Sequence, residues 1–189
     1  MSDKHKIAIF ASGNGSNFEA LAKACLQSRI NAEVVLCVCD KPGAYVTQRA
    51  KKLEIPTLEL KPKSFPSKEE YEKCILEALR KEGAELICLA GYMRIIGNTL
   101  LKAFERKIIN IHPSLLPAFK GVDAVGQALE YGVKVFGITV HYVDDSLDGG
   151  EIISQVAIPY DGGDREELEA MIHAREHALY VSTLRSLLS

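Results

Sequence analysis

The chain has no tryptophan, and aromatic residues of all kinds make up only 7% of its 189 positions. It also lacks an excess of either charge, because 23 Lys and Arg face 25 Asp and Glu. Without a basic field, the composition gives no reason to expect a nucleic-acid partner. No apolar run approaches the roughly 20 residues that a membrane-spanning helix needs. The composition therefore argues against a nucleic-acid-binding protein and against an integral membrane protein.

Cysteine is scarce and odd in number, and the thiols lie mostly within apolar strand or helix patterns. Cys37 and Cys39 are separated by one residue rather than by the two that are typical of zinc or redox pairs. We expect small buried hydrophobes in a reducing compartment rather than disulfides or a metal site. The first six residues lead directly into a predicted strand, without the apolar region and cleavage site of a secretory signal. The expected location is the cytoplasm.

What the chain does contain is a regular alternation of apolar, β-branched runs with amphipathic stretches. Strands are predicted over 7–11, 32–39, 55–60, 85–90, the start of 108–117, 136–143 and 152–158. Helices are predicted over 18–25, 46–53, 67–81, 124–131 and 165–188. The pattern predicts a single α/β domain with a mostly parallel, twisted sheet of about seven strands and helices on both faces. A short turn between the last strands predicts one antiparallel edge pair near the C-terminus.

A glycine-rich loop, residues 12–17, stands between the first strand and an amphipathic helix. In such an arrangement, backbone N–H groups and a helix N-terminus converge on an anion. The loop matches neither the dinucleotide nor the Walker nucleotide pattern. Ser16 and Asn17 are good N-cap residues, so helix capping alone could explain these two. Capping would leave the two preceding glycines unexplained, whereas close approach of a phosphate would account for them. Phosphate binding and simple capping both remain open from this loop alone.

Residues 108–117 combine a buried strand with two polar side chains. Asn110 and His112 interrupt the apolar run at a spacing of two, which places both on one face of a strand. A buried amide and imidazole need hydrogen-bond partners. The chain then leaves through Pro113 at the carboxyl end of the strand, where open α/β sheets bind their ligands. The pair either satisfies backbone groups of the loop or belongs to a functional site.

Two more loops follow predicted strands. Residues 91–97 are apolar and carry a single arginine, Arg94, which suits either a flat heterocycle or a helix entry that packs on the core. Residues 144–150 form an acidic loop that ends in two glycines. If these loops and the two above share one edge of the sheet, they bring an anion cradle, an apolar pocket, Asn110 with His112, and Asp148 together.

Basic residues on two predicted helices have plainer interpretations. Arg49, Lys51 and Lys52 on the helix over 46–53 are expected to form a solvated face. Lys68 follows Ser67, which forms a capping box with Glu70, and it is either an exposed lysine or a contact for an anion.

Four segments, taken in order, resemble the folate-dependent phosphoribosylglycinamide formyltransferases of purine biosynthesis. They are Gly13-Asn14-Gly15-Ser16-Asn17, residues 89–94, residues 110–117, and His141-Tyr142-Val143 followed by 147–150. The resemblance covers nearly the whole chain. It implies one Rossmann-like formyltransferase domain over residues 1–189, with ribonucleotide binding in the N-terminal half and folate binding and catalysis in the C-terminal half. The implied reaction moves the formyl group of 10-formyltetrahydrofolate to the amine of N1-(5-phospho-D-ribosyl)glycinamide.

The resemblance implies three catalytic residues. Asn110 would donate an amide N–H to the oxyanion that forms when the amine attacks, and one such donor is typically worth about 2.7–4 kcal/mol. His112, as imidazolium, would face the same oxygen and supply a proton to the leaving nitrogen. Asp148 would pair with His112 and favour its charged form, so activity is expected to fall at high pH.

The resemblance also implies binding residues. The backbone of Gly15, Ser16 and Asn17 would hold the ribose phosphate, and Glu176 would contact the ribonucleotide. Lys68 stands where the family commonly has an arginine that contacts the folate, and it keeps the charge without the bidentate fork. The other implied folate-binding residues are Met93, Arg94, Ile95, Ile96, Asn110, Asp144, Asp145, Ser146, Leu147 and Asp148. The two small molecules are the expected partners of a monomer or weak homodimer, with no metal, nucleic acid or membrane.

Other functions that are compatible with the same motifs would require different features of the chain. A methionyl-tRNA formyltransferase would need a longer chain with a C-terminal RNA-binding domain, and a formyltetrahydrofolate hydrolase would usually carry an N-terminal regulatory domain before Ile7. A catalytically silent phosphate-binding protein would not need Asn110, His112 and Asp148 together. His141 is expected to be a hydrogen-bonded core histidine that supports the acidic loop.

Overall fold

The computed structural model describes residues 4–189. Its strands are β1 (His5–Ala11), β2 (Ala32–Cys39), β3 (Thr57–Glu59), β4 (Leu86–Leu89), β5 (Ile108–His112), β6 (Val135–Tyr142) and β7 (Ile152–Pro159). Its helices are α1 (Ser16–Leu26), α2 (Tyr45–Lys52), α3 (Lys68–Glu82), α4 (Asn98–Ala103), α5 (Ala124–Tyr131) and α6 (Arg165–Leu187), with a 3₁₀ turn at Pro62–Ser64. Met1–Asp3, part of the segment predicted to carry no targeting signal, lies outside the described residues.

The seven strands form one sheet in the order β3-β2-β1-β4-β5-β6-β7. The strands from β3 to β5 are parallel, while β6 runs antiparallel to both β5 and β7. This confirms the predicted α/β class and the antiparallel edge pair β6–β7. The antiparallel part extends one pairing further than predicted, because β6 enters the sheet beyond the carboxyl end of β5 and then runs back along it.

Helices cover both faces of the sheet, as predicted. Ile7, Ile9 and Ala11 of β1 belong to a core with α1, α2, α5 and α6, whereas Ala8 and Phe10 pack with α3 and α4. Burial on both faces explains why β1 reads as an unbroken apolar run rather than an alternating one. No helix within residues 4–189 is both long and apolar enough to cross a membrane.

Several predicted boundaries agree with the structure, and one element was missed. Ser67 caps α3 by accepting a hydrogen bond from the Glu70 N–H at 3.2 Å, and Gly132 ends α5 in the left-handed region. The third strand is shorter than the predicted 55–60, since Thr57–Glu59 alone pairs with β2. The six-residue α4 was not predicted because it is too short to show a helical period and has no capping side chain.

The five cysteines are free thiols, and four of them are buried. Burial raises the pKa of Cys25 to about 11 and the pKa of Cys37 to about 12. These thiols therefore stay protonated at neutral pH and behave as small hydrophobic residues, as expected from their positions.

Candidate active site

A cavity of about 880 Å³ opens where the carboxyl ends of β1, β4 and β5 meet. Its wall consists of the loops that follow these strands, the loop after β6 and one face of α6. This is the position at which open α/β sheets bind ligands. The predicted site residues that line the cavity are Gly15, Ser16, Asn17, Met93, Arg94, Ile95, Ile96, Asn110, His112, Asp144, Ser146, Leu147, Asp148 and Glu176.

The glycine loop delivers the first turn of α1 to the cavity. Gly15 is the N-cap, with φ of 77°, and no side chain caps the helix. Ser16 and Asn17 lie inside α1, so the interpretation of these two residues as caps is wrong. The first N–H groups of α1 thus have no capping side chain and lie at the positive end of the helix dipole, where an anion is favoured.

Glu176 of α6 faces the same end of the cavity. Its carboxylate accepts a hydrogen bond from Asn17 Nδ2 at 3.2 Å, which joins residues 159 positions apart. Burial raises the pKa of Glu176, and the Asn17 hydrogen bond opposes that shift. His173, three residues earlier on the same helix face, also lines the cavity and was not singled out from the sequence. The i, i+3 spacing of His173 and Glu176 was the available signal.

Asn110 and His112 lie at the carboxyl end of β5 on one face of the strand, as their spacing predicts. Ile109 and Ile111 point to the opposite face, into the core formed with α1 and α6. On the same face as Asn110 and His112, Ile108 at the start of β5 belongs to the core formed with α3 and α4. The two polar side chains farther along the strand line the cavity, together with the loops.

The His112 ring is hydrogen-bonded through Nε2 to the backbone oxygen of Phe119 at 2.9 Å. A carbonyl oxygen only accepts, so Nε2 carries a proton. The other ring nitrogen, Nδ1, lies 3.5 Å from Asp148 Oδ2. Asp148 Oδ2 also accepts a hydrogen bond from the Gly121 N–H at 2.8 Å. The loop that contains Phe119 and Gly121 therefore contacts both members of the His112–Asp148 pair.

His141 holds Asn110, a role that the sequence did not indicate. Its Nδ1–H donates to the Tyr142 backbone oxygen at 2.8 Å, which leaves Nε2 of the neutral ring as an acceptor. Burial lowers the pKa of His141, so the ring is neutral at pH 7. Nε2 accepts from Asn110 Nδ2 at 3.2 Å, whereas the nearer Asp148 oxygen is 3.8 Å away. The second N–H of the Asn110 amide is thereby left for the cavity.

The acidic loop reaches His112 by folding back along the sheet. Because β6 is antiparallel to β5, Tyr142 lies beside Ile109, away from the carboxyl end of β5. Asp144 accepts hydrogen bonds from the backbone and hydroxyl of Ser146, which tightens the turn. Asp148 then returns to His112 with φ of 45°.

The apolar loop after β4 is tied to the glycine loop. Ser12 Oγ accepts a hydrogen bond from the Met93 N–H at 2.8 Å, and the Ser12 N–H donates to the Gly91 oxygen at 3.1 Å. Met93 and Ile95 are 70% and 71% exposed, although both are apolar. Exposed apolar side chains grouped at a cavity mouth are typical of a surface that a ligand covers. The same loop ends at Gly97, the N-cap of α4, so the interpretation as a helix entry is confirmed, and the contact with a flat heterocycle stays a prediction.

Lys68 and Asp145 do not line the cavity. Lys68 is an exposed residue of the first turn of α3, and its Cε lies beside Gly97 at the rim of the apolar loop. Lys41, in the loop that follows β2, does line the cavity and was not predicted. Within the described chain, no three His, Cys, Asp or Glu side chains are grouped as a metal site requires.

Comparison with known proteins agrees with this geometry. The formyl transferase family model matches residues 5–184. The phosphoribosylglycinamide formyltransferase of Bacillus subtilis (strain 168) is 55% identical over 184 residues, which cover 97% of this chain and 94% of that protein. The trifunctional purine biosynthetic protein adenosine-3 of Gallus gallus is 41% identical over 184 residues, 97% of this chain, which spans only 18% of that longer relative.

Solved structures of enzymes with these names are also similar to this chain. Glycinamide ribonucleotide transformylase 1 from Geobacillus kaustophilus superposes with a TM-score of 0.96 at 49% identity, covering 98% of this chain and 100% of that one. The phosphoribosylglycinamide formyltransferase from Bacillus halodurans gives a TM-score of 0.95 at 49% identity, covering 97% and 95%.

Proposed function

Because the chain belongs to the formyl transferase family, among its phosphoribosylglycinamide formyltransferases, we propose that it transfers the formyl group of 10-formyltetrahydrofolate to the amine of N1-(5-phospho-D-ribosyl)glycinamide. A bond forms between the formyl carbon and the substrate amine, the bond from that carbon to N10 breaks, and one proton passes from the amine to N10. The products are formylglycinamide ribonucleotide and tetrahydrofolate. The observation that carries the proposal is the position of Asn110, His112 and Asp148 between an anion cradle and an exposed apolar loop.

The ribonucleotide would bind at the glycine-loop end of the cavity. Gly15, Ser16 and Asn17 would offer backbone N–H groups to the phosphate at the N-terminus of α1. Glu176 lies beside Asn17 on the same side and would accept from hydrogen-bond donors of the substrate. No charged side chain of the protein needs to reach the phosphate in this arrangement.

The folate would bind at the other end, where its formyl group supplies the carbon that is transferred. The fit rests on Met93 and Ile95, whose exposed side chains would cover a flat heterocycle, with Ile96 behind them and Arg94 beside them. The wall opposite would come from Asp144, Ser146, Leu147 and Asp148. Lys68 and Asp145 do not line the cavity and would contact only a part of the ligand that extends out of it.

The catalytic residues would act on the formyl oxygen, where negative charge develops. Asn110 offers the amide N–H that His141 leaves free. His112 offers its Nε2–H, which Phe119 O now accepts, so the formyl oxygen has to take the place of that carbonyl. Asp148 lies at the opposite ring nitrogen, where it would orient the imidazolium and stabilise its charge.

A formyl-transfer assay with 10-formyltetrahydrofolate, run with and without the ribonucleotide, tests the proposal. We expect turnover only when the ribonucleotide is present, and we expect His112→Ala to abolish it. Consumption of the folate without the ribonucleotide would identify a hydrolase instead. No reaction under either condition would contradict the proposal and indicate a phosphate-binding protein.

We further propose that residues 1–189 act as one domain and as a monomer or weak homodimer. The single domain is supported by the cavity, to which both halves of the chain contribute. Asn17 and Glu176 meet at one end, and residues 93–96 and Asp148 also line the cavity.

A further inference from the structure

We propose that Arg49 of α2 is a positioning residue for the glycine loop, which it holds in the conformation that receives the ribonucleotide phosphate. The inference rests on the proposed function, and Arg49 itself does not line the cavity. The sequence placed Arg49 on a solvated helix face with Lys51 and Lys52. Lys51 and Lys52 are indeed exposed, but the Arg49 side chain is only 19% exposed and points to the loop.

The guanidinium is fixed on three sides. Arg49 Nε donates to the Asn14 backbone oxygen at 2.8 Å, and Nη2 donates to Asn14 Oδ1 at 3.1 Å. Nη1 pairs with the Glu19 carboxylate on α1. The guanidinium carbon lies 4.8 Å from the centre of the Tyr45 ring, within cation–π range. Because the planar guanidinium is held on three sides, it fixes the orientation of the two Asn14 oxygens that it contacts.

Three successive carbonyl groups of the loop are occupied. The Gly13 oxygen accepts from the Val46 N–H at 3.0 Å, the Asn14 oxygen accepts from Arg49, and the Gly15 oxygen accepts from the Glu19 N–H at 2.9 Å. In a planar trans peptide, the N–H group points opposite to the C=O group. The N–H groups that share these three peptide units belong to Asn14, Gly15 and Ser16. They therefore point away from the groups that donate to the carbonyls. The other side of the loop is the cavity, so the carbonyl contacts set how the loop presents donors to an anion.

Of these three contacts, only the one from Arg49 comes from a side chain, so a substitution can remove it. The Gly15 contact is the first bond of α1 itself and forms with the helix. Gly15 has φ of 77°, and a Cβ there would lie 2.5 Å from Val46, so the loop needs glycine at this point. Glycine carries the largest conformational freedom of any residue, and some other group has to restrict it. Arg49 does so through Asn14, between the two glycines.

Arg49 also places a cation behind the loop without exposing it to the substrate. Burial opposes ionisation of Glu19, but hydrogen bonds and charges from Lys23 and Arg49 outweigh it and hold the pKa of that carboxyl below its ordinary value. A purely structural interpretation is that Arg49 only joins α2 to α1 through Glu19. The two interpretations differ in which substrate should be affected when Arg49 is changed.

The test measures kcat and both KM values for wild type, Arg49→Gln, Arg49→Lys, Glu19→Gln and Lys52→Gln. Loss of one charge-assisted hydrogen bond corresponds to roughly tenfold in binding. We expect Arg49→Gln to raise the KM for the ribonucleotide about tenfold, while kcat and the KM for the folate change less than about twofold. Arg49→Lys should give partial rescue. Lys52→Gln, the matched loss of one exposed charge, and Glu19→Gln, which breaks only the ion pair, should stay near wild type.

The competing outcomes are distinct. An unchanged ribonucleotide KM in Arg49→Gln would overturn the proposal, as would parallel changes in kcat and both KM values accompanied by a lower unfolding temperature. Failure of the wild type to turn over would instead contradict the proposed function. Stabilisation by inorganic phosphate, compared between wild type and Arg49→Gln in thermal unfolding, would then test the role of Arg49 by itself.

Discussion

Asn110 and His141 form the residue pair on which oxyanion stabilisation would depend. The cross-strand register places them directly opposite each other, and the neutral His141 ring accepts one Asn110 N–H. An amide held in this way is preorganised, because its free N–H does not have to be reoriented when charge develops. The histidine therefore matters through Asn110 rather than through direct contact with substrate.

We predict that Asn110→Ala lowers kcat by about 10²–10³-fold, as expected when one oxyanion donor is removed. His141→Phe, which keeps a ring but loses the acceptor, should lower kcat by a smaller factor. The double variant should be no slower than Asn110→Ala alone, since both changes remove the same interaction. Steady-state kinetics of the three variants measure this. Multiplicative losses would show that His141 acts independently of Asn110.

Glu176 is a second residue whose burial has a measurable consequence. Burial raises its pKa above the ordinary value of 4.5, so the folded chain retains a proton that the unfolded chain releases. Its contribution to stability is therefore fully present below pH 4.5 and is lost as pH rises through the folded-state pKa. At neutral pH, a carboxylate with this environment favours unfolding, whereas a glutamine would not.

We predict that Glu176→Gln is more stable than wild type at pH 7 and that the difference shrinks as pH falls toward 4.5. Denaturant unfolding across this pH range measures the effect, with Glu130→Gln on the exposed face of α5 as the control. The same variant should weaken ribonucleotide binding, which is the usual cost of stabilising a functional site. A stability difference that does not depend on pH would contradict a raised pKa of Glu176 as its cause.

At the scale of elements, β6 fixes the loop that carries Phe119. Thr139 is fully buried, and its hydroxyl donates to the Ser114 oxygen at 2.7 Å. Thr139 Oγ1 itself accepts hydrogen bonds from the Leu116 N–H at 3.1 Å and from Gln155 Nε2 at 2.9 Å. One side chain thus joins β6, β7 and the loop after β5, next to the strand end that holds His112.

We predict that Thr139→Val costs about 1–3 kcal/mol of unfolding free energy, because it keeps the shape but leaves buried backbone groups of Ser114 and Leu116 unpaired. Thr57→Val is the matched control, since that hydroxyl makes one hydrogen bond, to the Ile55 oxygen at 3.3 Å, in a half-buried position. Equilibrium denaturation compares the two. Equal losses of unfolding free energy in the two variants would mean that the Thr139 contacts contribute no more than a single half-buried hydrogen bond.

At the scale of the whole molecule, two apolar cores share the strands of one sheet. Alternate residues of β1 enter the two cores, so neither core can form without the sheet that holds the other. Tyr180 of α6 joins its helix to two strands of the sheet, because its hydroxyl donates to the Leu89 oxygen of β4 at 3.0 Å and lies 3.3 Å from the Ile109 oxygen of β5. This architecture supports the proposal of a single domain.

We predict one cooperative unfolding transition with equal calorimetric and van't Hoff enthalpies. For 189 residues, the heat-capacity change should be about 2.3–2.8 kcal/mol/K. Differential scanning calorimetry measures both quantities. Two resolved transitions would show that the two sides of the sheet unfold separately, against the single-domain proposal.

The sequence by itself determined the class of fold and much of the cavity wall. Period-two and helical patterns, the cap at Ser67 and the glycine after α5 depend on neighbours within a few residues, so they can be read locally. The spacing of Asn110 and His112 fixed their common face for the same reason. Their assigned catalytic roles came from the family resemblance, and they stay proposals to be tested by the variants above.

Tertiary structure alone decided which distant groups meet. Because β6 runs antiparallel to β5, His141 lies opposite Asn110. Arg49, which was expected on a solvated face, contacts the glycine loop because α2 packs beside it. The fold-back of the acidic loop carried Asp148 to His112. No local pattern encodes these contacts, because they depend on strand order and on hydrogen bonds between residues that are far apart in the chain.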